Sequence, residues 1–280
     1  MVIHNPLLNK EFRQRMRTNR APVVITAYLV SMAALTFLML YENVQGQFAL
    51  LLPARSEQVF LVVSLLQMTV VAFLTPAFAA GSISGERERR TLAVLLTTPL
   101  SPGEILIGKI LSSSALLALL VIVTLPLYSL VFLFGGAVPQ EALAVFGFQL
   151  YTILVIAALS VAWSTLALRS GWSTVLSYST VTFMTLVTGL LGYALQFAAI
   201  RFPADGFLTE WGNELLQLNP LWVDARLENA VTGTFHSWLI FVGFYSILAV
   251  ALLGLSVWRL RPQVLSFMPG VSRSDERNYQ

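Results

Sequence analysis

Residues able to do chemistry are few in this chain. It has two histidines, His4 and His236, and no cysteine. Thiolate metal sites and disulfides are therefore excluded, and the spans derived below place the two imidazoles on opposite membrane faces. Serine and threonine hydroxyls are plentiful but have no base to activate them. One phosphate-binding pattern comes close: Gly103-Glu104-Ile105-Leu106-Ile107-Gly108-Lys109 has GxxxxGK spacing. A phosphate loop needs Ser or Thr next, to hold magnesium, and a strand before its first glycine. Here Ile110 follows and an apolar helical pattern continues, so the match is chance. The densest chemistry is charge. Glu86, Arg87, Glu88, Arg89 and Arg90 stand in consecutive positions, inside a polar island running from Gly81 to Lys109.

The elements that hold this island are set by composition. Of 280 residues 56% are hydrophobic and 11% charged, against about 25% charged in soluble domains. Intervals free of Asp, Glu, Lys and Arg run over 21–41, 58–85, 110–140, 142–168, 170–200 and 229–258. Each is long enough for a helix to cross the hydrocarbon layer, which takes about 20 residues. Backbone hydrogen bonding favours helices in lipid, and no period-2 alternation points to a barrel. The reading is an all-α integral membrane protein with six transmembrane helices, over about 22–40, 59–80, 104–134, 142–168, 173–200 and 237–258. The first span has no cleavage site of a signal peptide after it.

Basic residues orient the bundle. With both termini on one side, that side holds Lys10, Arg13, Arg15, Arg17, Arg20, Arg87, Arg89, Arg90, Lys109, Arg169, Arg259, Arg261, Arg273 and Arg277. The other side holds Arg55, Arg201 and Arg226. This asymmetry predicts both termini and the charged island in the cytoplasm. A net charge of +3 gives no reason to expect a nucleic-acid partner.

Around the spans, residues 1–21 read as a cytoplasmic interfacial amphipathic helix. Asn5 caps it and Pro6 begins it; Lys10, Arg13 and Arg17 face anionic headgroups, with Leu8, Phe12 and Met16 opposite. The charged loop, 81–103, ends at Ser101-Pro102-Gly103-Glu104, a capping box for the third span. Pro76 and Pro126 predict kinks. Ala158, Ser160, Ala162 and Ser164 predict close helix contact. In the fifth span Thr174, Tyr178, Thr182, Thr185, Gly189, Gly192 and Gln196 recur at spacings of three and four. They form one stripe that either packs helices or faces a pathway or subunit interface. The outer segment 201–236 reads as a short amphipathic helix with Phe207, Leu208, Trp211, Leu215 and Leu218 on its apolar side, ended by Asn219-Pro220. Residues 259–280 form a cytoplasmic tail. No acidic residue lies deep in any span, so a carboxylate relay, a catalytic residue or a metal site is not expected on this chain.

Three stretches resemble the permease subunits of type-2 ATP-binding cassette (ABC) exporters. They are the arm Asn5-Pro6 with Lys10, Glu11 and Arg13; the run from Ile83-Ser84-Gly85-Glu86 to Thr91-Leu92, continued by Leu95-Leu96-Thr97-Thr98-Pro99-Leu100-Ser101 and Glu104, Ile105, Gly108 and Lys109; and Asn219-Pro220-Leu221-Trp222 before the last span. Arg90 departs from the pattern, standing where many relatives have Gly. The resemblance implies that the loop holds a coupling helix, with Glu86, Arg87, Glu88, Arg89 and Arg90 giving polar specificity and Leu92 and Leu95 giving burial. Lys10, Glu11, Arg13 and Arg17 would dock beside it on a separate ABC ATPase subunit. ATP and magnesium would bind that partner, leaving this chain without cofactor or enzymatic activity. A second permease subunit, identical or not, and membrane lipid complete the expected partners, in the inner (plasma) membrane of a bacterium. A non-transporting scaffold or sensor subunit of an ABC-like complex stands as the alternative.

Overall fold

The computed structural model describes residues 20–44, 53–92, 100–133, 139–201, 206–228 and 237–260. These are helical in α1 (Arg20–Val44), α2 (Pro53–Ala79), α3 (Ser84–Glu88), α4 (Pro102–Val123), α5 (Leu125–Leu133), α6 (Pro139–Leu166), α7 (Ser170–Thr182), a π-helical turn (Phe183–Val187), α8 (Thr188–Arg201), α9 (Gly206–Gln217), α10 (Pro220–Leu227) and α11 (Ser237–Leu260). Among the described residues no strand occurs. Lys10, Glu11, Arg13, Arg17 and Leu95 lie outside the described residues, as do most of the expected tail and part of the loop 81–103.

Among the described residues, five helical stretches are long and apolar enough to cross a membrane: Glu57–Glu88, Pro102–Ser129, Pro139–Leu166, Ser170–Arg201 and Ser237–Leu260. The first expected span is a helix too, but its apolar part among the described residues is the shorter Ile25–Met39. Helix α6 sits at the centre, with α2, α4, α7, α10 and α11 packed on it. Small side chains permit this. Ala157, Ala158, Ser160, Ala162 and Ser164 are all buried, and in lipid such residues let backbones approach where a hydrophobic drive is missing. By contrast, α7, α8 and α11, together with the π turn, leave Trp172, Phe183, Leu190, Phe197, Ile247 and Val250 exposed.

The two prolines act differently. Pro76 lies within a helix that continues to Ala79. Pro126 divides the third span into α4 and α5 at Thr124, because a ring in place of an N–H cannot complete the ladder. Thr124 Oγ1 donates to Val121 O at 2.7 Å and to Gln67 Oε1 at 3.2 Å. The cap of α4 is as expected: Glu104 N donates to Ser101 Oγ at 3.3 Å, and Ser101 N to Glu104 Oε2 at 2.8 Å.

The outer segment differs from its expected form. Helix α9 packs back on α8 through Gly212 and Leu216, both buried, while Phe207 and Trp211 are exposed. The apolar residues named from spacing are thus split: Phe207 and Trp211 face outward, while Leu208, Leu215 and Leu218 are half-buried and Leu218 packs against the core. The contact follows small residues instead: a Cβ on Gly192 would meet Leu216 Cγ at 2.6 Å and the Gly212 carbonyl at 3.2 Å. Asn219-Pro220 ends α9 and also begins α10, with Asn219 as N-cap and Pro220 at the first turn. Instead of lying on the surface, α10 turns inward against α2 and α6.

Candidate functional site

The charged turn is built from helix ends. Ser164 Oγ accepts from Ile83 N and Ser84 N, both at 2.9 Å, so a side chain of α6 caps the start of α3. Arg87 donates to the Ala167 carbonyl at 2.6 Å and the Thr165 carbonyl at 3.1 Å. Arg259 donates to Leu166 O at 2.7 Å. Two cations therefore satisfy the carbonyl end of α6, where the helix dipole is negative. Glu88 does the reverse for α7: its oxygens accept from Ser170 N and Ser170 Oγ, each at 2.7 Å. Glu86 accepts from Thr91 Oγ1 and pairs with Lys109 of α4 at 3.4 Å. Lys109, the end of the GxxxxGK match, lies mid-helix with 6% of its side chain exposed; no loop cradles phosphate there.

Three of the five consecutive charges thus bind this chain's own helices. Arg89 and Arg90 remain exposed, and Leu92 is buried in the core cluster with Ile83 and Ile105. Arg90 has φ of 58°, the left-handed conformation that glycine adopts freely. That explains physically why glycine suits the position.

The polar stripe of the fifth span does not stay on one face. A π turn takes in one extra residue, rotating the next helix by roughly 100° relative to an uninterrupted α-helix. Below the turn, Thr174, Tyr178 and Thr182 line an open groove of about 480 Å³ with Val175, Ser179, Phe183 and Val187. Above it the remaining members are packed. Asn219 Nδ2 donates to Thr185 O at 2.6 Å, and Asn219 Oδ1 accepts from Leu221 N at 2.9 Å. A Cβ on Gly189 would lie 2.8 Å from Asn219 Nδ2, and Gln196 donates to Asn213 at 2.9 Å. Asn219 is a clip between the π turn and the start of α10.

A second polar cluster went unseen in the sequence. Asp224, on α10, and Glu228, just past its end, are 0% and 2% exposed. Ser64 Oγ donates to Asp224 Oδ2 at 2.7 Å, and Gln149 Nε2 to the same oxygen at 3.3 Å. Nearby, Tyr128 OH donates to Gln67 Oε1 at 2.7 Å. Spacing and composition gave no reason to expect carboxylates in the interior. Neither acid lies in a span; the inward turn of α10 carries both into the bundle. Burial pushes Asp224 up to about 7 from 3.8. Burial, with the charge of Asp224 next, pushes Glu228 up to about 9 from 4.5. An i, i+4 pair on a short helix after Asn-Pro was the available signal.

The fold defines a class: an α-helical, multi-pass membrane protein whose charged turn ties several helices together. The family model for the ABC-2 family transporter protein matches residues 6–268, and the chain belongs to that family. It is a membrane permease of an ABC transporter, the transport component rather than a catalyst, and the family works with an ABC ATPase subunit. No individually curated protein matches the chain.

Proposed function

We propose that this permease is an exporter subunit whose turn 81–109 receives the motion of a separate ATPase. In this reading α1 makes the sixth span, both termini are cytoplasmic, and the membrane is the bacterial inner membrane. The observation that carries it is the bonding of the turn. Glu86, Arg87 and Glu88 are fixed to α4, α6 and α7, and Ser164 holds the start of α3. A push on α3 therefore reaches several helices, while Arg89 and Arg90 face outward to meet the partner. Residues 1–21 would dock beside them, and ATP and magnesium would bind the ATPase. The groove along Thr174, Tyr178 and Thr182 would form part of a pathway shared with a second permease subunit.

Co-expression with the ATPase chain tests this. Arg89→Glu with Arg90→Glu should abolish co-purification of the ATPase while the permease stays folded in the membrane. Unchanged co-purification and unchanged transport-linked ATP hydrolysis would remove the turn from the coupling role.

A further inference from the structure

We infer that Asp224, Glu228 and Gln149 form a binding site for a hard metal cation, in the half of the bundle away from the charged turn. The site stands on the geometry of α10 and does not depend on the coupling role proposed above. Asp224 and Glu228 are four residues apart, a spacing that puts them on one helical face. Asp224 Oδ2 receives its two donors from Ser64 and Gln149. Asp224 Oδ1, both carboxyl oxygens of Glu228 and Gln149 Oε1 have no hydrogen-bond partner; Ser64, close enough to Glu228 to favour its charged form, gives its one hydroxyl proton to Asp224 Oδ2. Gln149 is 0% exposed, and its amide nitrogen is fixed against Asp224 and Ser64. Four buried oxygens without a donor, on three side chains, are what a hard cation takes as ligands, with water completing the shell.

The surrounding charge agrees. Glu57 and Glu141 stand near the starts of α2 and α6 and add to the negative potential at Glu228. Glu57 is exposed and Glu141 partly so, and their charge favours cations on that side of the bundle. The other titratable groups around the pair are Tyr28 of α1, Tyr128 of α5 and Arg226 of α10; Arg226 stacks over Trp222 at 4.6 Å. Gln149 lies eight residues into α6 from Glu141, roughly 12 Å by helical rise. The end of α6 gripped by Arg87 is on the other side.

The experiment uses the full-length protein in detergent or nanodiscs at pH 8.5. Thermal unfolding and tryptophan fluorescence are followed as Na⁺, K⁺, Mg²⁺ or Ca²⁺ replaces choline at constant ionic strength. One of these ions should raise the unfolding temperature saturably. Glu228→Gln, a change that keeps the side chain's size, should fold and raise the half-effect concentration at least tenfold; Asp224→Asn with Glu228→Gln should abolish the effect. The inference fails if no ion acts on the wild type, or if the double variant responds as the wild type does. It also fails if Glu228→Gln leaves the half-effect concentration unchanged.

Discussion

Single residues carry the clearest physical consequences. Asp224 and Glu228 both have carboxyl groups raised by burial, to about 7 and about 9. A raised group keeps its proton in the folded state after the unfolded chain has lost it. Its contribution is full below the unfolded value, near 4, and is lost as pH rises through the folded value. In buffer free of metal salts, stability should therefore fall steadily between about pH 4 and pH 9. Glu228→Gln should flatten the upper part of that fall, as read by thermal unfolding in a pH series. A wild-type profile that is level from pH 5 to pH 9 would contradict the buried placement of α10. Arg90 gives a second expectation. A non-glycine residue at φ of 58° carries a strain of about 1–2 kcal/mol. Arg90→Gly should recover about 1 kcal/mol of it and Arg90→Ile should lose stability, measured by chemical or thermal unfolding. If Gly destabilised as much as Ile, the left-handed turn would be in doubt.

At the scale of elements, the sequence showed long helices well and short ones poorly. Charge-free length reports a spanning helix directly, so α6 and α11 begin and end close to their expected limits, while α2 begins earlier, at Pro53. The cap at Ser101–Glu104 was legible because a capping box is local chemistry. Two devices were not legible. The π turn at Phe183–Val187, on which α10 packs, is marked by no residue pattern. It divided a stripe that spacing had joined. The inward turn of α10 was hidden because Asp224 and Glu228 look like ordinary loop acids until Ser64 and Gln149 are brought beside them. Asn219 joins both devices, and its loss should be costly. Asn219→Ala removes a helix cap, about 1 kcal/mol, and leaves the Thr185 carbonyl short of a donor in a buried place, about 1–3 kcal/mol more. Gly192→Ala should cost about 1–3 kcal/mol by overpacking against Leu216 and Gly212. Gly243→Ala, where a Cβ meets nothing within 4 Å, is the matched control. Equal stability of the two glycine variants would mean that α8 and α9 do not cross as closely as described.

For the whole molecule, the outer surface decides where a second permease subunit sits. Two faces compete. On α11 the exposed side chains Leu239, Ile240, Phe244, Ile247, Val250 and Leu255 are uniformly apolar and need only lipid. On α7 the open groove presents hydroxyls of Thr174, Tyr178, Ser179 and Thr182. Hydroxyl groups are poorly served by acyl chains and well served by water or a partner helix. The groove should therefore face the second subunit across the proposed pathway, and α11 should face lipid. Because the chain has no cysteine, single-cysteine variants report this directly. Thr182→Cys, and separately Tyr178→Cys, should form an oxidant-induced disulfide adduct in native membranes, while Ile247→Cys should stay monomeric on a non-reducing gel. An adduct at twice the chain mass means two copies of this permease, and an adduct to a different protein means a sister subunit. Cross-linking through Ile247→Cys with none through the α7 positions would place the partner on α11. The hydroxyl groove would then be a lipid-side cleft and not part of a shared path. Applied ATP and the ATPase chain should change the rate of the Thr182→Cys reaction, since a turn bonded to α4, α6 and α7 cannot move without moving the groove. A rate that ignores ATP would separate the groove from the turn.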